Sequence, residues 1–424
     1  MPRPMSERSD LERAIARAFR PDKRLSRRSF LRQTGRGALV AGSTLSIASI
    51  LAACGIKPGS SAASSAAASD ATGALEWANW PLYIDIDDDG NYPSLVAFTE
   101  ESGLEVNYTE AIQDNADFFG TIRQDLEAGN PTGWDVISPG GWVVERMARL
   151  GYLEELDHSA LPNWEANCAD YAKGLWFDPD NKYSLWWQGG ITGIGYDPEL
   201  TGREITAFDD LLDPAFAGRV GGFSDMRDMF GLTLLSLGVE PENATVDDVT
   251  QAQQLLLDAN GRNQFRGYYG NEYYDALAAG DLALSVAWSG DISQMALYDN
   301  PNVRFVIPET GGMRWNDNLA IPKNAGRPDN AHKLLNYWYD PTAATILSEY
   351  IGYFTPVNGV SDRILADAQT ARDEGDTETA DLYETLAPTV VPTDDQLNNT
   401  FPDKQLTEDE EAEWNDLFLE VIGG

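Results

Sequence analysis

The chain has 424 residues, 42% of them hydrophobic and 10% aromatic, enough for two or three packed domains and incompatible with a disordered chain. Its formal charge of −38 is spread along the length, and a surface of that sign repels nucleic acid and anionic lipid headgroups, which excludes both as partners. The only histidines are His158 and His332, and no spaced set of His, Cys and acidic residues suggests a metal centre or any other cofactor site.

Residues 1–53 hold eleven Lys or Arg against four Asp or Glu, which leaves 19 basic and 64 acidic residues, near −45, on the remainder. A pocket for a small cation needs only a few of those acids, so the excess reads as a solubility trait suited to high salt. Within this leader, Ser26-Arg27-Arg28-Ser29-Phe30-Leu31 precedes an uncharged run from Gly37 to Ala53, the pattern of a twin-arginine export signal. The run is too short and too rich in Gly, Ser and Ala for a membrane span, which takes about 20 apolar residues. It ends in Leu51-Ala52-Ala53-Cys54-Gly55, the form of a lipobox, which predicts cleavage, lipidation of Cys54 and a membrane anchor outside the cytoplasm. Residues 54–74 follow as a Ser/Ala-rich tether with too little bulk to fold. Cys168 is then the only cysteine left, predicted to be a packed core thiol with no disulfide partner.

The folded body is expected from Leu75. Leu75 to Asn79 reads as a strand that breaks at Pro81, with Trp80 and Tyr83 at the break. Asp85-Ile86-Asp87-Asp88-Asp89-Gly90 imitates the start of a calcium loop, but Val96 stands where the bidentate Glu belongs, so a solvated acidic loop is the better reading. Helices over 92–102, 117–128 and 143–150 alternate with strands over 104–108 and 134–138, and Trp142 stands just past the second strand. This alternation predicts βαβ units on a mostly parallel sheet, whose strand ends face a crevice. The glycine-rich run from Trp186 to Tyr196 suits a crossing between lobes. A second series follows: a short helix over 205–212, a strand at Val220 to Phe223, and a turn in which Ser224 or Asp225 caps the next helix with Asp228 as a capping-box partner. Ala283 to Asp291 reads as a buried strand that places Trp288 at the crevice edge.

The next stretch, Gly311 to Pro322, contains Trp315 and Asp317. An extended chain puts both on one face, where an indole and a carboxylate together suit a desolvated ammonium group. The plainer alternative is a strand that ends in an Asp turn.

The chain resembles the spermidine/putrescine-binding proteins of bacterial ABC importers in Asn79-Trp80 with Tyr83, Asp135-Val136-Ile137 before Trp142, and Asp225 to Asp228. The resemblance continues through Ala287-Trp288-Ser289-Gly290, Trp315 to Pro322 and Ile351 to Pro356, and extends over residues 75–420. It implies a two-lobed α/β fold of the type II periplasmic binding protein kind, each lobe a mostly parallel sheet flanked by helices and joined by crossing hinge strands. Residues 75–190 with 315–350 would form lobe 1, and 191–314 with 351–424 lobe 2. It further implies that Trp80, Tyr83, Trp142, Trp288 and Trp315 wall the cleft, that Asp225, Asp228 and Asp317 receive ammonium groups, and that Tyr353 closes the site. The implied function is capture of a polyamine by a monomeric lipoprotein and delivery to membrane permease subunits, with no cofactor and no metal. The sequence departs from the family at Gly140, where a serine is common, and at Asp228, where a glutamate is usual; the last C-terminal contact has Phe401 to Asp403 as its nearest candidate. A binding lipoprotein for sugars or other small solutes is the rival, since indoles also stack on sugars, but a neutral sugar does not need three acids in one cleft. Catalysis by the carboxylates in the manner of a glycosidase is a further alternative; no nucleophile elbow or phosphate loop accompanies them.

Overall fold

The computed structural model describes residues 73–423 apart from 82, 88 and 89; the expected leader, the lipidation site Cys54 and most of the tether lie outside the described residues. β1 (Leu75–Asn79) pairs in parallel with β2 (Val106–Glu110), and α1 (Pro93–Ser102) connects them. Pro93 opens α1 where a missing N–H is harmless, and Gly103 ends it at φ 71°, a left-handed turn that glycine takes without strain. α2 (Asn115–Ala128) is capped by Asp114, which accepts from the N–H groups of Ala116 and Asp117. It leads to β3 (Val136–Ile137) on the other side of β1 and to α3 (Gly141–Leu150).

β4 (Ser184–Tyr196) is buried at all 13 positions. The second half follows as β5 (Val220–Phe223), α4 (Met226–Ser236), α5 (Val246–Asn260), β6 (Phe265–Tyr269), β7 (Leu284–Trp288), α6 (Ser289–Tyr298) and β8 (Arg304–Val306). β9 (Gly312–Ala320) then returns antiparallel to β4, with Thr192 opposite Met313 and Leu185 opposite Leu319. The chain closes with α7 (Pro328–Tyr337), α8 (Pro341–Ile351), α9 (Val360–Asp373), α10 (Thr377–Leu386), β10 (Thr400–Pro402) and α11 (Glu408–Ile422).

The strands form one sheet in the order β2-β1-β3-β9-β4-β7-β5-β6, with β10 on β9 and β8 on β4. β1, β2 and β3 are mutually parallel at one end, as are β5, β6 and β7 at the other, and β4 and β9 run through the middle. The helices gather into separate cores at the two ends. One contains Leu75, Trp77, Trp187 and Leu319, extended on the opposite sheet face by Ile137, Val143 and Phe119; the other contains Ile194, Phe230, Val286 and Phe418. This is the two-lobed, type II arrangement.

The lobe boundary differs from the expected one after residue 351. Val357, Val360, Ile364, Tyr383, Leu386 and Val390 pack into the first core, not the second. The segment is fixed there by backbone pairing of Gly189 with Phe354 and by a bridge between Cys168 and Val357. Only from about Phe401 onward does the chain return to the second core, through Leu406, Trp414 and Phe418. A strand prediction also fails locally, because β7 ends at Trp288 and α6 begins at Ser289, so Asp291 is helical. Cys168 is a buried free thiol, which burial pushes up to about 12.

Candidate functional site

Between the two cores lies a cavity of about 450 Å³. All nine ligand-binding positions expected from the sequence line it. Trp80, Tyr83 and Trp142 reach it from the first lobe, Asp225, Asp228 and Trp288 from the second, Trp315 and Asp317 from β9, and Tyr353 from the turn after α8.

The aromatic side chains form a continuous wall that crosses from lobe to lobe. Tyr83 and Tyr353 lie 5.5 Å apart, Tyr353 and Trp315 5.5 Å, and Trp315 and Trp288 6.5 Å, each pair edge to face. Glycine permits this packing: a Cβ on Gly190 of β4 would stand 2.6 Å from the Trp315 indole. Gly190→Ala is therefore expected to push Trp315 into the cavity and weaken ligand binding by roughly tenfold, at an overpacking cost of about 1–3 kcal/mol. Calorimetry beside a melting scan checks this; unchanged affinity would mean that the ring moves without affecting the site. Tyr353 offers its ring more than its hydroxyl, which donates to Asp291 Oδ1 at 2.6 Å. Trp142 differs from the other walls, because the protein's own Arg227 and Arg146 guanidinium groups already lie 4.5 and 5.2 Å from its ring centre.

The carboxylates are held by identifiable partners. Asp317 accepts the Tyr83 hydroxyl at 2.9 Å, and Asp228 accepts the Trp288 indole N–H at 3.1 Å. Asp225 caps α4 by accepting from the N–H groups of Arg227 and Asp228, so the expected cap exists, but Asp228 turns to Trp288 instead of completing a capping box. Burial pushes the Asp317 carboxyl up to about 7, against the lowering effect of the Tyr83 hydrogen bond. Burial, and then the charges of Asp225 and Asp403, push Asp228 well above the usual carboxylate range. Asp225 is also raised by enclosure in the cleft, but its side chain is open to the cleft's solvent, so the push is weaker than on Asp228.

Asp403, which the sequence pointed to only as part of the nearest candidate for a last contact, lines the cavity, and burial raises it to about 6. Its position depends on β10 pairing with β9, a contact between distant segments that local pattern does not reveal. Asp114, Glu272 and Asp275 also line the cavity and were missed. Asp114 carries a visible signal as the cap of α2 at a crevice-facing strand end; Glu272 and Asp275 follow β6 in a segment with no motif. The lining thus contains seven acidic residues against one base, Arg227. Neither histidine lines it: His332 accepts from the Asp157 N–H, and His158 bonds to the Asn181 carbonyl. Among the described residues no group of acids, His and Cys is arranged to hold a metal ion. Asp85, at the head of the acidic loop, turns inward to accept from the Ser94 N–H and hydroxyl.

A cleft between two lobes on one crossing sheet, walled by aromatics and carboxylates, defines a solute-binding protein. A profile of the bacterial extracellular solute-binding proteins matches residues 94–375, and the chain belongs to that family. It is similar to spermidine/putrescine-binding periplasmic protein 1 of Haemophilus influenzae, 32% identical over 62% of this chain and 71% of the relative. It is also similar to the putrescine-binding periplasmic protein PotF of Escherichia coli, 30% identical over 65% of this chain and 75% of the relative. Among solved structures, a putative spermidine/putrescine ABC transporter from Listeria monocytogenes is 28% identical, covers 82% of this chain and 99% of its own, and superposes with a TM-score of 0.68.

Proposed function

We propose that the protein is the capture subunit of an ABC importer for a cationic amine of the putrescine and spermidine class. The observation that carries this reading is the charge of the cleft: buried Asp228 and Asp317 and half-buried Asp403 face an aromatic wall, with a single base in the lining. A protonated diamine or triamine matches such a site, its methylenes on the rings and its ammonium groups on the carboxylates, each such bond contributing about 1.5–3 kcal/mol in a closed cleft. The relatives named for spermidine and putrescine support the same class. Trp80, Tyr83, Trp142, Trp288, Trp315 and Tyr353 are the ligand's walls in this reading, and Asp225, Asp228 and Asp317 its charge partners, joined by Asp403. The protein acts as a monomer, performs no catalysis, and hands its ligand to permease subunits.

Export and anchoring belong to the same proposal. The twin arginines and the lipobox support passage across the membrane in the folded state and attachment through a lipid on Cys54. Among the described residues no helix is long and apolar enough to cross a membrane. The reading is tested by calorimetry of the purified protein with putrescine, spermidine, agmatine and maltose. Binding of at least one amine without maltose is the expected result; maltose binding with no heat from any amine overturns it in favour of a sugar carrier.

A further inference from the structure

Beside the cavity, one helical turn along α3 from Trp142, charged side chains of the two lobes interlock. Glu145 and Arg146 belong to the first lobe, whose core includes Val143, Val144 and Met147 of the same helix. Arg227, Gln405 and Glu411 belong to the second, packed around Phe230, Leu406 and Trp414. Arg146 forms an ion pair with Glu411, and Arg227 Nη2 stands 3.7 Å from the same carboxylate. Gln405 Nε2 donates to Glu145 Oε1 at 2.7 Å. The Arg227 guanidinium lies over Trp142 while its Nη1 donates to the Lys404 carbonyl at 3.0 Å, which ties it to its own lobe. Glu145, Arg227 and Glu411 are each 8% exposed, so the charged contacts are largely shielded from water, with Gln405 at the exposed rim of the network.

We propose that this network is an interlobe latch that sets the affinity of the cleft through the closed population, with Glu145, Arg146, Gln405 and Glu411 acting as positioning residues. None of these four lines the cavity. When the lobes part, the charges regain water in exchange for their partners, a near-balanced exchange that suits a latch meant to open. An apolar seam of the same extent would expose a sticky patch on opening. A device that acts on the closed fraction alone scales the apparent affinity for every ligand by one factor, because the intrinsic contacts are untouched. A residue that touches the ligand changes selectivity instead.

The test compares the purified protein with Glu411→Gln and with Gln405→Ala. Gln405 is exposed, so its truncation keeps the test valid should Glu411→Gln fail to fold. Small-angle scattering without added amine is expected to show a larger radius of gyration in both variants. Calorimetry is expected to show putrescine and spermidine weakened by a common factor, about tenfold for Glu411→Gln and smaller for Gln405→Ala. Unchanged scattering and affinity in every variant that folds overturns the latch, and so do losses that differ between the two amines by more than about threefold. The affinity arm rests on the amine reading; should the unaltered protein bind no amine, that reading fails and scattering alone decides the latch.

Discussion

Asp317→Asn is expected to weaken binding of putrescine or spermidine by about ten- to a hundredfold, the loss of one charge-assisted bond worth about 1.5–3 kcal/mol. Without ligand, the variant is expected to melt at the same temperature as the unaltered protein at pH 8, or higher. The reason is that Asp317 is buried against the Tyr83 hydroxyl, and burial pushes its carboxyl up from 3.8 to about 7. A carboxyl raised in the folded state contributes its full stability below the unfolded value, near pH 4, and loses it as the pH rises through the folded value, near 7. That rise corresponds to roughly 4 kcal/mol, an upper figure for what ionised Asp317 costs the ligand-free protein at pH 8. Asparagine keeps an acceptor for Tyr83 and removes that cost. Lost affinity together with a much lower melting temperature would make Asp317 the structural turn of the plainer alternative.

Affinity for a diamine is expected to rise about a hundredfold from pH 5 to pH 8, because binding needs the Asp317 anion and each pH unit below about 7 costs a factor of ten. Aliphatic ammonium groups, with values near those of lysine at about 10.4, stay charged over this range, so the change lies in the protein. Asp403, raised to about 6, adds to the effect at the lower end. At pH 6 binding must expel a proton, so the measured heat should vary with the ionisation enthalpy of the buffer. Equal affinity at pH 5 and 8 with no released proton would show that the amine does not pair with these carboxylates.

The aromatic wall was legible because each ring stands at the end of a strand or in a short motif, where local pattern is strongest. Trp80 follows β1, Trp288 ends β7, and Trp315 shares a face of β9 with Asp317. β5 was read over its observed span because Val220 to Phe223 is a short apolar run bounded by Arg219 and Ser224. What escaped was set by contacts between distant segments. Helices α9 and α10 present ordinary amphipathic faces that do not say which lobe receives them; the pairing of Gly189 with Phe354 decides. Asp291 was read as strand although the turn dipeptide Ser289-Gly290 stands before it; that dipeptide opens α6. Asp403 reaches the cavity only because β10 lies along β9.

The return of the chain to each core has a consequence for how the molecule is made. The first lobe lacks part of its packing until Val390 is available, and the second lacks part of its own until Trp414, Phe418 and Val421 are. Neither lobe is a contiguous piece, so no fragment released early from a ribosome has a finished interior, and the pairings that close both join residues 88 to 136 positions apart. Such non-local closure is slow compared with local helix formation. Neither lobe therefore completes its interior before Val390 has joined the first core, which is compatible with the proposed export of an already folded protein.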